Sequence, residues 1–576
     1  MRAHLRTLTR TLFAAALLVG LARGASANAT ITIINLDGPG EGFNDATPAA
    51  PVGGNPGTTV GQQRLNVFQQ AANIWGSILT STVTIQVQAA FNPLSCNATS
   101  AVLGSAGPRF VEFGDPSFEF TNVWYHEALA CKEAGVDLTQ PGDPGLPPGD
   151  NGSDINAQFN SSLGQTGCLT GSGWYYGFDH NEGALIDLLA VVLHEFAHGL
   201  GFSTTTSGSN GAYLNGPPSL PALWDKFLLD ETTGLHWDQN TAAQRVASAI
   251  NTGNLTWDGQ QTSFKAPLFL SHAPELLVPF GGGSLPGNAA SFGAPLTQGG
   301  VTQQAVVVVD PVAPTGDGCE TPFTNAGALS GKIAVIDRGV CAFTLKVLNA
   351  QNAGAIGVVL VNNQAGTFSP GGSDPSITIP VIAITQADGT SLKNAIAGGP
   401  TTVTMRLSPT AIAGMHPNGR VRMFAPNPFQ PGSSVSHWDV SATPNLLMEP
   451  AITPDLTSDV DLTDPLFRDI GWMPRVLDAP GSGSGARVAL ANNPNPARGG
   501  TDLHFDLAAD ERVELSLYDV SGRQVRSLVK ASLAAGPHDI HWDGLDTAGR
   551  RAGPGVYLAR LKGSHTLATH SLVWMN

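Results

Sequence analysis

A histidine pair at the end of an apolar segment limits what the middle of this chain can form. His194 and His198 are four residues apart and follow the apolar run of residues 184–193. On a helix, side chains at this spacing lie on one face, one turn apart, so both imidazoles can bind a single metal ion. Glu195 lies about 100° round the axis, where it can take a proton from a metal-bound water. The segment therefore predicts a helix with a zinc site. The alternative, a buried helix with two hydrogen-bonded histidines, is disfavoured because unsatisfied polar groups are costly in a packed core.

A catalytic zinc site needs a third protein ligand beside one open position, and the residues just after the pair do not supply it. Gly201 can end the helix in a left-handed turn, but the residue three positions later is Thr204, whose neutral hydroxyl is a poor zinc ligand. The site is therefore inactive, or its third histidine is remote in the sequence. The candidates are His236, His272, His416, His437 and His541.

His437 differs from the other candidates in the residues that follow it. Met448 comes eleven residues later and is followed by Glu449 and Pro450, and residues 469–472 read Asp-Ile-Gly-Trp. These features resemble the leishmanolysin-type metzincins, in which an insertion separates the third zinc histidine from the helix and a Met-turn lies beneath the metal. The resemblance implies that Met448 supports the site without binding metal. It also implies that one catalytic Zn²⁺ is held by His194, His198 and His437.

The resemblance covers roughly residues 30–275 and 413–475. Local patterns in the first of these segments predict a sheet backed by helices, because strand-like and helix-like periodicities alternate. The predicted elements are a strand at 30–34, a helix at 62–78 and a strand at 82–87. His126 and Glu127 begin a second apparent motif, but Ala130 stands where its second histidine would be required.

The segment between the two parts of this domain, residues 276–412, has a different composition and alternates predicted strands with helices. The strands are at 332–336, 355–361 and 379–384, and the helices are at 343–353 and 387–396. Residues 331–343 and 349–355 resemble the protease-associated (PA) domain. The resemblance implies a non-catalytic α/β module that influences substrate access or partner binding.

The C-terminal part of the chain begins after a flexible linker. Residues 481–485 alternate glycine and serine, which predicts a linker at 476–490, and strand-like segments at short intervals predict an all-β sandwich at 491–576. Residues 518–523, 541–544 and 555–557 resemble the FlgD-like immunoglobulin and secretion-sorting modules of exported bacterial proteins. This resemblance implies a possible contact with a cell surface or with secretion machinery.

The N-terminus predicts export. Arg2, Arg6 and Arg10 precede the apolar stretch 12–21, and a small-residue cleavage site ends at Ala27, so residues 1–27 read as a signal peptide of a secreted, extracellular or cell-surface protein. No later apolar run reaches the ~18 residues of a membrane span. The net charge of −16 comes without a basic block, which argues against nucleic acid as a partner.

Five cysteines in an exported chain favour disulfides, with one cysteine left over. Cys319 and Cys341 lie close in one segment, and Cys96 with Cys168 is the preferred second pair. Zinc ligation by cysteine is the weaker reading because no CxxC spacing occurs. The acidic loop at residues 143–154 could bind a structural Ca²⁺, but it lacks the EF-hand spacing, so a solvated loop is the better interpretation.

Together these patterns predict a multidomain α+β protein. Its metzincin-like zinc peptidase domain, residues 28–275 and 413–475, is interrupted by the α/β PA domain and followed by the all-β immunoglobulin-like sandwich. The implied function is a secreted zinc metalloendopeptidase that hydrolyses protein or peptide substrates with Glu195 as general base. Two alternatives remain: a gluzincin-like peptidase with Glu231 as a ligand, and a catalytically inactive adhesion or binding protein that uses the PA and sandwich modules.

Overall fold

The computed structural model divides the chain into two compact units, residues 1–475 and 476–576. It describes residues 28–473 except 144–145, 147, 215–217, 365, 452–455 and 457–459, and residues 490–574 except 494–496, 498, 508–509, 520–522, 548, 554 and 564–566. The predicted signal peptide and the predicted linker up to residue 489 lie outside the described residues.

The first part of unit 1 contains a mixed sheet with helices packed beside it. Its order is β1-β2-β6-β3, in which β1, β2 and β6 are parallel and the edge strand β3 runs antiparallel to β6. The elements are β1 Ile31–Asn35, α1 Val60–Ile78, β2 Ile85–Asn92, β3 Gly104–Pro108, β4 Val111–Glu112, β5 Tyr125–His126, α2 Glu127–Ala134, β6 Ile155–Asn160, β7 Trp174–Tyr175, β8 Ile186–Asp187, α3 Leu188–Leu200, β9 Leu228–Asp230, β10 Leu235–His236, α4 Ala242–Ser248, β11 Leu255–Trp257 and α5 Gln260–Phe269.

The helix α3 is the buried centre of this part. Asp187 caps its first turn, since its carboxylate accepts the Leu189 N–H at 2.8 Å, and Gly201 ends it with a φ of 126°. Two buried tryptophans fix its position: the indole N–H of Trp75 donates to the Leu193 carbonyl at 3.1 Å and that of Trp472 donates to the Leu200 carbonyl at 2.7 Å. The second contact satisfies a carbonyl of the last turn, which has no partner within the helix, and the first anchors the middle of α3.

The PA segment forms its own sheet, of order β13-β12-β19-β15-β16-β17-β18-β14, in which β15 to β18 are parallel. Apolar clusters cover both faces, as expected of a parallel sheet. The elements are β12 His272–Leu277, β13 Ser284–Pro286, β14 Asn288–Ala289, β15 Val301–Val307, α6 Ala326–Leu329, β16 Ile333–Asp337, α7 Phe343–Asn352, β17 Gly357–Val361, β18 Val381–Ile384, α8 Gln386–Gly398 and β19 Thr402–Ile412.

The two ends of this segment meet. His272 is paired with Ile412, and the Ala413 N–H donates to the Ser271 carbonyl at 2.9 Å. The sheet thus begins at residue 272, four residues before the boundary expected from the sequence, because Pro274 and the short β12 give no clear strand periodicity. The chain therefore leaves the first part of unit 1 and returns to it at one point.

The chain then completes unit 1 with β20 Val421–Arg422, which pairs with β11, and α9 Thr463–Ile470. Apolar side chains from both sides of the insertion share one core, since Trp438, Leu447 and Phe467 are buried together with Trp75. The two disulfides of the described residues, Cys96–Cys168 and Cys319–Cys341, are the pairs expected from the sequence.

Unit 2 consists of two antiparallel sheets, β21-β22-β25 and β24-β23-β26-β27. Trp542 and Trp574 lie in its apolar core with ring centroids 4.7 Å apart. The strands are β21 Leu490–Asn493, β22 Thr501–Leu507, β23 Glu511–Asp519, β24 Gln524–Leu533, β25 Gly536–Trp542, β26 Gly555–Lys562 and β27 Leu567–Trp574. This is the two-sheet architecture expected of a sandwich. None of the described helices in either unit is long and apolar enough to cross a bilayer.

Candidate metal centre

Three histidines from the two parts of unit 1 that flank the inserted segment meet at one point. The Nε2 atoms of His194 and His198 on α3 are 3.2 Å apart, and each lies 3.3 Å from Nε2 of His437. His437 belongs to the segment between β20 and α9. The structure therefore brings together the three histidines that the sequence groups, across an interval of 239 residues.

Each of these histidines is oriented by a backbone carbonyl. The Nδ1 atom of His194 lies 2.7 Å from the Leu447 carbonyl, that of His198 lies 2.8 Å from the Phe202 carbonyl, and that of His437 lies 2.7 Å from the Ser433 carbonyl. Because a carbonyl only accepts, Nδ1 must carry the proton in each ring. The three Nε2 lone pairs are therefore left to face one another, an arrangement that repels unless a cation lies between them.

Burial keeps these imidazoles neutral. It lowers the pKa of His194 to about 3 and that of His198 to about 4, and it lowers the pKa of His437 well below its usual range. Neutral imidazole is the form that binds metal ions. Three protonated histidines would be unstable in this buried site. The positive charge between their Nε2 atoms has to be supplied by a bound cation rather than by protons.

The spacing of the nitrogens fits zinc. Tetrahedral coordination at Zn–N distances of 2.0–2.1 Å places ligand nitrogens about 3.3 Å apart. The observed separations of 3.2–3.3 Å match that value on all three edges. Three imidazoles on one face of a tetrahedron leave one position open, which is the donor set of a catalytic site rather than a closed structural one.

Glu195, the residue after His194 on α3, lies against the edge strand β3. Its carboxylate accepts a hydrogen bond from the backbone of Ala106, and burial raises its pKa to about 8. Gly104 allows this approach, because a Cβ there would lie only 2.9 Å from Cγ of Glu195. Glu195 is 7% exposed and is not a member of the three-histidine group.

The turn that contains Met448 supports the cluster from the side of His194. Met448 is fully buried, and its carbonyl accepts the N–H of Trp438, the residue after His437, at 2.8 Å. The preceding residue, Leu447, supplies the carbonyl that orients His194, and its own N–H donates to the buried carboxylate of Asp461. Asp461 is a positioning residue that sequence reasoning missed, because no local pattern marks a carboxylate that acts through a backbone group.

The remaining candidate ligands lie elsewhere and have other partners. Thr204 donates to Asp225 at 2.7 Å, and its N–H lies 3.3 Å from the hydroxyl of Ser436, so it supports the segment that precedes His437. The Glu231 carboxylate accepts from Thr256 and Asn418 and lies 3.4 Å from Arg420, which argues against the gluzincin alternative. The other candidate histidines contact acidic side chains: His236 contacts Asp258, His416 contacts Glu231 and His541 contacts Asp502. His272 is the first residue of β12.

The acidic loop considered for calcium forms contacts of its own. Asp150 pairs with Arg109 at 2.5 Å, and the Asp143 carboxylate accepts the Gln140 N–H at 2.9 Å. Asp154, at the end of the loop, accepts the Gln86 N–H at 2.7 Å. Calcium binding there remains an unsupported prediction.

Comparison with known families identifies the two accessory parts of the chain. Residues 301–392 match the PA domain, and residues 492–566 match the FlgD Ig-like domain. The inserted segment is a PA domain. Its matched residues run from β15 into α8 and include the strands β16, β17 and β18 and the helix α7, which were predicted from the sequence.

Relatives share only short stretches with this chain. The minor extracellular protease Vpr of Bacillus subtilis (strain 168) is 40% identical over 80 residues, 14% of this chain and 10% of that protein. Leucine aminopeptidase 2 of Arthroderma otae is 35% identical over 139 residues, 24% of this chain and 26% of that protein. The chain thus spans about a quarter or less of these relatives.

Among solved structures, BSAP, a zinc aminopeptidase from Bacillus subtilis, is similar over 26% of this chain and 36% of its own, with 24% sequence identity and a TM-score of 0.19. All three of these proteins are named as peptidases. Two are named as aminopeptidases, and none of the three is named as a leishmanolysin or another metzincin. The expected metzincin subfamily remains a prediction from the sequence motifs.

Proposed function

We propose that this protein is a secreted zinc metalloendopeptidase of the leishmanolysin-like type. The observation that carries the proposal is the triangle of three Nε2 atoms, 3.2–3.3 Å on each edge, with Glu195 beside it. Export is part of the proposal, because residues 1–27 have the composition of a signal peptide and two disulfides form in the described chain.

In this function His194, His198 and His437 hold the metal. A zinc ion supplies Lewis-acid chemistry, since it makes water nucleophilic at neutral pH and draws electron density from the carbonyl of the scissile peptide bond. Glu195 takes the proton that the attacking water releases and passes it to the leaving amine. A pure binding protein has no use for such a base beside three neutral imidazoles, which disfavours the adhesion alternative.

The edge strand β3 supports cleavage within a chain rather than at its end. Among the described residues β3 pairs on one side only, with β6, and it runs beside Glu195. An extended peptide can add to such an edge through backbone hydrogen bonds and pass the metal on both sides. The proposal therefore differs from the aminopeptidase activity that two of the relatives carry in their names.

The test is hydrolysis of an N-acetylated, internally quenched peptide, with leucine p-nitroanilide as the aminopeptidase substrate. Glu195→Gln is expected to abolish cleavage of the blocked peptide and to leave zinc content unchanged, because Glu195 is a base and not a ligand. His437→Ala is expected to remove both the activity and one zinc per chain.

His236→Ala is the matched control, since His236 shares the His-Trp-Asp tripeptide of His437 but pairs with Asp258 at 3.0 Å. It is expected to keep zinc and activity. Cleavage of leucine p-nitroanilide alone would overturn the endopeptidase assignment. Full activity of Glu195→Gln would overturn the peptidase site itself.

A further inference from the structure

A second group of buried ligating side chains lies between α2 and β6 and includes none of the three histidines. Glu127 is the first residue of α2, Cys131 lies one turn later on the same face, and Asp154 immediately precedes β6. One ligand atom from each lies within 4.8 Å of the other two. Two carboxylates and a thiol thus converge inside the protein.

Glu127 is buried in an unusual way. The residue is 0% exposed, and neither of its carboxylate oxygens has a hydrogen-bond partner. Asp154 is also buried and uses one oxygen to accept the Gln86 N–H at 2.7 Å. Cys131, 2% exposed, is the one cysteine outside the disulfides. Buried carboxylates are normally paired or bound to a metal ion, so the Glu127 oxygens indicate a missing partner.

Among the described residues, the charged side chains that act on Glu127 are mostly acidic. The acidic side chains that act on Glu127 are those of Asp154, Glu112 and Asp137, all of like charge. Arg109 acts in the opposite direction, but its guanidinium is committed to Asp150 at 2.5 Å. Cys131 accepts the Leu138 N–H at 3.3 Å and its thiol donates a hydrogen bond to Asp154, so the two Glu127 oxygens are the atoms that a cation would satisfy.

We propose that Glu127, Cys131 and Asp154 bind a second zinc ion with a structural role. The donor set selects the metal: Ca²⁺ and Mg²⁺ take oxygen ligands, whereas zinc accepts thiolate and carboxylate together. A second carboxylate oxygen or a water completes four-coordination. Binding releases the thiol proton of Cys131 to solvent, and any proton on Glu127 with it.

The ion would join two elements behind the histidine helix. It links the start of α2 to the start of β6, and the residue before Glu127, His126, lies 3.3 Å from the hydroxyl of Ser203 just beyond α3. Loss of the ion is therefore expected to loosen α2 without removing a ligand from the first metal centre.

Cobalt substitution of the full chain tests this site through its thiol. The histidine centre offers cobalt only nitrogen and oxygen, and the other four cysteines are in disulfides, so a thiolate-to-cobalt charge-transfer band in the near ultraviolet can come only from Cys131. The apoprotein is expected to take up two Co²⁺ per chain and to show this band. Cys131→Ser should lose the band and one cobalt.

Two more variants separate this site from the peptidase centre. His437→Ala should lose one cobalt and keep the thiolate band, so failure of the proposed peptidase function leaves this test intact. Glu127→Gln should lose one cobalt, whereas Glu133→Gln, which changes an acid on the same helix that pairs with Lys132, should lose none.

Two observations together would contradict the second zinc site. A wild-type protein that shows no thiolate band after cobalt is added, together with a Glu127→Gln variant that binds as much cobalt as the wild type and unfolds at higher urea, would show that the group is a protonated, metal-free cluster. If Cys131→Ser does not fold, the band of the wild type and of His437→Ala decides the question.

Discussion

Replacing Gly199 by alanine is expected to displace the helix that carries His194 and His198. A Cβ at position 199 would lie 2.4 Å from Cγ2 of Ile155 and 2.9 Å from its Cγ1 and Cδ1 atoms. Carbon atoms in ordinary contact are about 3.5–4.0 Å apart, so α3 or Ile155 must move by about 1 Å. Ile155 is fully buried in β6 and cannot turn towards solvent.

Two effects oppose each other in this variant. Alanine favours the helical backbone over glycine by about 1 kcal/mol, and overpacking of a filled core costs about 1–3 kcal/mol. The added carbon meets three others at once, which favours the upper end of that cost. We expect the free energy of unfolding to fall by about 1–2 kcal/mol. A shift of about 1 Å at His198, the next residue, should lower kcat/KM about 100-fold.

Urea unfolding and hydrolysis of the blocked peptide measure the two effects. Gly327→Ala is the matched control, because this glycine also lies in a helix, α6 of the inserted segment, and a Cβ there has no atom within 4 Å. Adding Ile155→Ala to Gly199→Ala removes all three crowded carbons and should restore part of the lost activity. An unchanged urea midpoint and an unchanged rate for Gly199→Ala would refute the close approach of α3 to β6.

Three further changes test other parts of the molecule. Asp461→Asn weakens the acceptor of the Leu447 N–H, so zinc affinity should fall about 10- to 100-fold in a chelator competition, and unchanged affinity would remove Asp461 from the support of the site. Replacing residues 272–412 by a short glycine linker should leave a folded protein that cleaves short blocked peptides, and a folded, zinc-loaded variant without activity would contradict this. Burial raises the pKa of Asp225 from 3.8 to about 6, so its contribution to stability is full below pH 4 and is lost as the pH rises through 6. Relative to Asp225→Asn, the wild type should therefore lose about 2–3 kcal/mol of unfolding free energy between pH 4 and pH 8, and a constant difference would contradict the shift.

Patterns within one element, or at a fixed spacing along the chain, could be read from the sequence. The helix α3 follows from its apolar run, the PA strands follow from theirs, and His437 could be selected only because Met448 follows at a characteristic interval. The edge strand β3 could not be predicted, since its five residues include two glycines and a proline and show no alternation.

Contacts that join distant segments account for what was missed at the sites. Hydrogen bonds link Asp461 to the Leu447 backbone and the Leu447 backbone to His194, across more than 250 residues. Because the link passes through a peptide group, no side-chain pattern in the sequence marks it. Glu127 and Cys131 stand at helical spacing, but they form a candidate metal site only together with Asp154, the residue before β6. In the sequence, this region shows only the second apparent motif, which begins at His126 and lacks its second histidine.

The contact between Ser271 and Ala413 has a consequence for the folding order of the chain. Bringing His437 to His198 closes a loop of 239 residues. Once the PA domain has folded, its adjoining ends shorten the effective loop to about 100 residues, which lowers the closure entropy cost by about 0.8 kcal/mol. The inserted domain thus shortens the loop that must close before His437 reaches α3. The length of the inserted domain can change without lengthening this loop, provided that its two ends still meet.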